Sequence, residues 1–308
     1  MGKATRESYG MALLQLGKEN EKIVVLDADL SKSTKTNDFK NQFKDRFFNV
    51  GIAEQNLIGI AAGLANVGLI PFASTFAVFA TGRAFEVIRN SVCYPKANVK
   101  IAATHAGITV GEDGGSHQSV EDIALMTSLP NMTVIVPADH TETMAAIKAA
   151  ADHKGPVYIR LGRCNTEDIF NEEYEFKIGK GVQLTEGNDI AIIATGMMVD
   201  ISIKAAKELK QEGINARVIN ISTIKPIDKE IIIKAAKETK GIVTVEEHSV
   251  MGGLGSIVAS LVSDEYPTIV KMVGIQDVFG ESGTPMELMN KYGLNVSGIK
   301  EKVYTILK

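Results

Sequence analysis

Short, almost wholly apolar runs alternate with helix-period segments along this chain, and no other feature limits its fold as strongly. Residues 23–26, 99–104, 133–136 and 156–161 read as strands, with an alanine-rich helix over 141–153 between the last two. The rhythm breaks at 165–187, where Glu167, Asp168, Asn171, Glu172, Glu173 and Glu175 stand among few apolar residues. It resumes with strands predicted at 189–195, 216–221, 241–246 and 268–273 and helices over 200–212 and 228–239. Another helix opens near 252–255, and 286–308 reads as two short helices broken near Gly293. Strand–helix alternation argues for parallel βαβ units. Runs that are apolar at nearly every position fit strands covered on both faces. The expected fold is α/β, with two parallel-sheet-rich three-layer domains, 1–165 and 188–308, joined by a linker over 166–187. At 308 residues and 45% hydrophobic content the chain is long enough to bury two cores.

A formal net charge of -4 gives no broad basic field, so nucleic acid is not an expected partner. A small anionic substrate needs only a few local arginines. Cys93 and Cys164 have neither metal-type spacing nor a framework of partners, which fits a reducing compartment. Neither has a base beside it, so neither reads as a nucleophile. The first residues lack the apolar core of a secretory signal, and no run of about 18 apolar residues occurs. The reading is a cytoplasmic protein with no membrane partner.

Chemistry-bearing residues gather beyond strand ends, where open parallel sheets place their ligands. Asp29 follows one predicted strand, His105 another and Arg163 a third. Glu54, in G-I-A-E-Q-N at 51–56, opens an apolar helix. It reads either as an acid favoured by the helix dipole or as a buried carboxylate aimed at a heterocycle nitrogen. Phe76 and Phe79, in S-T-F-A-V-F-A-T-G-R at 74–83, fall three apart on one helix face. They read as core or as a stacking platform for an aromatic ring. The most unusual stretch is T-H-A-G-I-T-V-G-E-D-G-G-S-H-Q at 104–118, with four glycines, His105, His117, Glu112 and Asp113. It is either a flexible surface loop or a site where backbone approaches a ligand. His105, Asp113 and His117 are spaced too irregularly for a ready-made metal site. Arg6, Ser33, Arg160 and Arg163 read singly as surface residues, with Arg163 the better anion clamp because it follows a buried strand. The M-G-G-L-G-S stretch at 251–256 lacks full phosphate-loop spacing and reads as tight strand-to-helix packing.

Taken in series, G-I-A-E-Q-N, S-T-F-A-V-F, H-A-G-I-T-V-G-E-D-G-G-S-H-Q and S-L-P-N-M-T-V-I-V-P-A-D (128–139) resemble the C-terminal half of transketolase over nearly the full chain. That resemblance implies a pyrimidine-binding domain followed by the transketolase C-terminal domain. It implies thiamine diphosphate as cofactor, with Glu54 on the pyrimidine nitrogen, Phe79 stacked on the ring and Phe76 behind it. Asp113 would contact a substrate hydroxyl, and His117 would serve the donor's oxygen atoms as a proton-transfer partner. Arg6, Ser33, His105 and Arg163 would hold a sugar phosphate, and Asp29 would be a structural acid nearby. The implied reaction moves a two-carbon ketol unit from xylulose 5-phosphate to ribose 5-phosphate, a step of the non-oxidative pentose phosphate pathway. The family holds the diphosphate and its Mg2+ or Ca2+ with a G-D-G motif in its N-terminal half, and no G-D-G occurs here. The resemblance therefore implies an N-terminal partner subunit that holds the metal, and an α2β2 assembly. Deoxyxylulose-phosphate synthase, the beta subunit of a 2-oxoacid dehydrogenase and a non-catalytic regulatory module are the alternatives. Arg6, Ser33 and Arg163 speak against the dehydrogenase, whose donor is not a phosphosugar.

Overall fold

Most of the apolar runs become strands buried on both faces, as their composition requires. The computed structural model describes residues 2–308. Its strands are β1 (Ile23–Asp27), β2 (Phe47–Asn49), β3 (Ile70–Phe76), β4 (Lys100–Thr104), β5 (Thr133–Ile135), β6 (Val157–Arg160), β7 (Val182–Gln183), β8 (Ile190–Ala194), β9 (Ala216–Asn220), β10 (Thr223–Lys225), β11 (Ile242–Ser249) and β12 (Val270–Ile275). They form a seven-stranded sheet ordered β10-β5-β6-β4-β3-β1-β2 and a five-stranded sheet ordered β12-β11-β8-β9-β7. All neighbours are parallel except β10 with β5 and β7 with β9. Strands β1, β4, β6, β8 and β9 are buried at every position. Helices such as Thr5–Glu19, Glu54–Asn66 and His140–Asp152 cover the first sheet, and Met198–Gln211, Leu254–Glu265 and Val296–Leu307 cover the second. The α/β architecture with two parallel-rich sheets is the one expected. No helix among the described residues is long and apolar enough to cross a membrane.

Four strands escaped the sequence reading. β2 and β10 are three residues long and β7 two, too short for periodicity to register. β3 carries Pro71 near its start and the polar pair Ser74–Thr75, although all but its first residue is buried. Phe76 therefore ends a strand and does not share a helix face with Phe79, which opens a π-helical turn, Phe79–Arg83.

The stretch over 166–187 is not simply solvated. Asp139 caps helix His140–Asp152 with one carboxylate oxygen, accepting from Glu142 N at 2.8 Å. Its other oxygen accepts the amides of Ile169 and Phe170 at 2.7 and 2.8 Å. Tyr174 donates to buried Glu142 at 2.9 Å, and Phe170 and Tyr174 stack with centroids 4.0 Å apart. The segment is thus pinned to the first sheet's flank before β7 joins the second sheet.

The two sheets also share a polar seam. Arg160, expected at the surface, is 7% exposed. Its Nε donates to both Asp122 oxygens at 3.1 and 2.9 Å, and one terminal nitrogen donates to Glu247 O at 2.9 Å. Tyr158 adds a 2.7 Å bond to Asp122. The Glu247 carboxylate accepts the amide of Thr109 at 2.7 Å. His248 stays neutral, since burial pushes its pKa down to about 4. Its Nε2 accepts the amides of Ile123 and Ala124, so Nδ1–H donates to Ser249 O at 2.7 Å. The 251–256 stretch is the tight packing expected. Glu246 accepts the amides of Leu254 and Gly255 at the start of helix Leu254–Glu265, the place an anion would take in a phosphate loop. A side chain at Gly253 would sit 2.1 Å from that carboxylate.

Candidate functional site

The first sheet sets out the site in a row along its carboxyl edge. Reading across β6, β4, β3, β1 and β2, the segments that follow the strands carry Arg163, His105, Phe79, Ser33 and Glu54, within one to six residues of each strand end. Register does the close positioning. Phe76 pairs with Thr104 across β3 and β4, so His105, the next residue, lies against the Phe76 ring at 3.9 Å and 25°. Phe79 lies nearly parallel to Phe76, with centroids 5.8 Å apart and planes at 14°. His117 meets both rings edge-on, at 5.4 Å from Phe79 and 6.4 Å from Phe76. Its Nδ1 is 3.0 Å from Ser116 Oγ.

The glycine stretch is not a loose loop. Residues 105–111 are buried. Thr109 is held by Glu247, and the Gln118 amide donates to Ile108 O, Gly111 O and Glu281 O. Gly107 has φ +81°, and a Cβ there would lie 2.2 Å from the Glu247 carboxylate. Only glycine serves both the left-handed backbone and the close approach. The second sheet thus sets the shape of a loop at the edge of the first.

The anion-type residues form a connected group. One Arg6 terminal nitrogen donates to Ser33 O at 3.1 Å and lies 3.3 Å from His105 Nε2. A guanidinium only donates, so Nε2 accepts and Nδ1 carries the proton, donating to Thr104 Oγ1 at 2.9 Å. Burial, then the Arg6 and Arg163 cations, depress the His105 pKa to about 3. Arg6 itself is lowered by burial, and its Nε has no partner among the described residues. Arg163 donates to Val110 O and to Asp113 Oδ2, the latter at 3.4 Å, and Glu112 stands 3.9 Å away. Asp113 is exposed, with one oxygen paired to Arg163. Asp29 is also exposed, with φ +65°, and accepts from Asn49 at 2.9 Å. The structural acid of this corner is Asp27, which the sequence reading passed over. It is fully buried and accepts Leu30 N, Thr34 Oγ1 and Thr36 Oγ1 at 2.5, 2.6 and 2.9 Å, fixing the turn that presents Ser33. Burial raises its pKa. Cys93 is a buried thiol pushed up to about 11, and Cys164 donates to Thr109 O at 3.5 Å. Neither is a nucleophile's setting.

His105 gives a test with a definite sign. Its folded pKa, about 3, lies below its ordinary 6.5, so the folded chain binds fewer protons between those values. Its contribution to stability is present above pH 6.5 and is lost as pH falls toward 3. His105→Asn, which tolerates the observed φ of +57°, should flatten the stability–pH slope by up to ~1.4 kcal/mol per pH unit. Urea unfolding between pH 4.5 and 6.5 measures it, and equal slopes in the two proteins would rule it out.

Glu54 is the first residue of helix Glu54–Asn66 and is 4% exposed. Although it opens an apolar helix, it has a charged partner. Arg83 donates to both its oxygens at 3.1 and 3.3 Å, and the same guanidinium stands 4.3 Å over the Phe79 ring. Glu54, Arg83, Ala53, Gln55 and Asn56 line an open cleft. Here a carboxylate and an aromatic face together engage one planar, nitrogen-bearing group. A planar nitrogen heterocycle would make the same two contacts, so the residues present fit an aminopyrimidine. Gly82, three residues past Phe79, has open space beside it.

Known proteins bear on this geometry directly. Residues 1–168 match the family model for the transketolase pyrimidine binding domain, and residues 179–299 that for the transketolase C-terminal domain. A protein of Methanocaldococcus jannaschii, provisionally named a transketolase C-terminal section, is 52% identical over 99% of this chain and 97% of its own length. The 6-deoxy-6-sulfo-D-fructose transketolase subunit SqwH of Clostridium sp. strain MSTE9 is 41% identical over 98% of this chain and 94% of its own. A solved split-gene transketolase, an inactive beta4 tetramer, superposes with a TM-score of 0.92 at 57% identity, covering 100% of this chain and 99% of that one. With both family domains matched in order and relatives of its own length, the chain belongs to the transketolase family.

Proposed function

We propose that this chain is the C-terminal subunit of a split transketolase, completed by an N-terminal subunit that holds the diphosphate of thiamine diphosphate and its divalent metal. The observation that carries the reading is one continuous edge. It runs from a buried carboxylate beside an aromatic face, past His117, to a group of two arginines and a neutral histidine. Thiamine diphosphate, when bound, supplies the nucleophilic carbon and electron sink for cleaving and forming a carbon–carbon bond. Glu54 and Phe79 orient its pyrimidine, the carboxylate by hydrogen bonding and the ring by stacking. Phe76 backs Phe79. His117 and Asp113 face the sugar's oxygens, where His117 is placed to move a proton. Arg6, His105 and Arg163, with Ser33 beside them, hold the sugar's terminal anion. Neutral His105 leaves the positive charge to the guanidiniums, which suit tetrahedral oxyanions.

The proposed reaction is ketol transfer from xylulose 5-phosphate to ribose 5-phosphate. The test is that assay with thiamine diphosphate and Mg2+, on this chain alone and mixed with its candidate N-terminal subunit. Activity in the mixture only is the expected result, and an α2β2 assembly is the state expected to carry it. Tight subunit binding with no transfer would reject the reaction. A sulfonated donor is the second reading, because one relative is a 6-deoxy-6-sulfo-D-fructose transketolase subunit. The same arginines would hold a sulfonate, and running both donors side by side decides between them.

A further inference from the structure

One side chain occupies both contacts that the thiamine reading assigns to the pyrimidine. Arg83 is bonded to both oxygens of Glu54 and stacked over Phe79, and its side chain is 54% exposed where Glu54 is 4% exposed. It ends the π-helical turn Phe79–Arg83, and Gln55 holds its backbone carbonyl at 3.1 Å. The backbone is therefore fixed while the long stem remains free to leave through an open cleft. Two planar groups cannot share the same carboxylate oxygens and the same ring contact. Glu54 also needs a partner in the free chain, because a buried carboxylate without one is costly.

We propose that Arg83 is a displaceable stand-in for the aminopyrimidine. It pairs Glu54 and covers Phe79 while the cofactor is absent, and it swings out when thiamine diphosphate binds between the subunits. This rests on the thiamine reading of the site. Arg83 thereby competes with the cofactor and sets its affinity. Removing the competitor tightens binding by about the strength of one half-exposed ion pair, roughly fivefold or ~1 kcal/mol.

The experiment is calorimetric titration of thiamine diphosphate, with Mg2+, into the complex of this chain with its N-terminal subunit. Wild type, Arg83→Ala and Arg83→Lys are compared. Arg83→Ala should bind about fivefold tighter. Arg83→Lys, which keeps the charge but loses the planar fork, should fall between it and wild type. If Arg83→Ala does not assemble, the lysine variant decides alone. Wild-type binding with neither variant tighter would overturn the displacement and leave the thiamine reading standing. No binding by any of the three would overturn both.

Discussion

Glu54→Ala should lower kcat for ketol transfer by about 10²- to 10³-fold in the assembled enzyme, the range for losing a positioned proton-handling group. The proposed role gives that carboxylate no substitute. Cavity, helix start and ring face converge on one position, and the other nearby polar groups, Gln55 and Asn56, are exposed. The same change should cost the free chain little. The partner Arg83 is half exposed, so the pair contributes under about 1 kcal/mol. Loss of a first-turn acid adds a further ~0.3–1 kcal/mol. Activity and stability therefore separate: a large fall in kcat with a melting temperature lower by only a few degrees. Turnover within threefold of wild type would remove Glu54 from the chemistry. Collapse of the fold would make it a structural acid.

Arg160→Leu should do the reverse, destabilising the chain by about 3–5 kcal/mol, the cost of removing one partner from a buried ion pair. Arg160 is the only cation bonded to Asp122 among the described residues, and it lies 4.0 Å from the Glu247 carboxylate. Both acids are buried and would be left uncompensated. The defect should also depend on pH. Burial already raises the Glu247 pKa, with Arg160 pulling against it. Without Arg160 it rises further, so the folded variant holds a proton that the unfolded chain releases. Stability from that proton is present below the unfolded value and lost as pH rises through the folded one. The gap between wild type and variant should thus shrink as pH falls from 7 toward 5. Denaturant unfolding at both ends of that window measures it. A gap that is constant, or below 1 kcal/mol, would mean the seam carries little energy.

What was legible in the sequence was whatever depends on neighbours along the chain. The apolar runs gave the long strands other than β3, whose Pro71 and Ser74–Thr75 mask it, and the ordered motifs gave Glu54, His105 and the glycine stretch their places. What stayed hidden depends on partners far away. Arg160 reads as a surface charge until Asp122 and Glu247 are seen beside it, 38 and 87 residues off. Arg83 reads as nothing until it meets Glu54 from 29 residues away. Asp27 and Asp29 are indistinguishable on paper; the left-handed backbone at Asp29 turns it outward, while Asp27 faces the turn it organises. β10 has no strand signature of its own, because three residues acquire one only against an existing edge.

That last strand has a consequence for how the protein can be divided. Chain from beyond the 166–187 crossing closes the border of the first sheet, with Thr223 and Lys225 paired to Ile135 and Val134. Val136 N is satisfied by Ser222 O just past it. A fragment cut at the crossing would leave this border bare, an invitation to pair with the same border on another molecule. Recombination between relatives at that point would meet the same obstacle unless the incoming half supplied a matching border strand. The two halves look like interchangeable cassettes in the linear map, yet the second supplies the border strand that closes the sheet of the first.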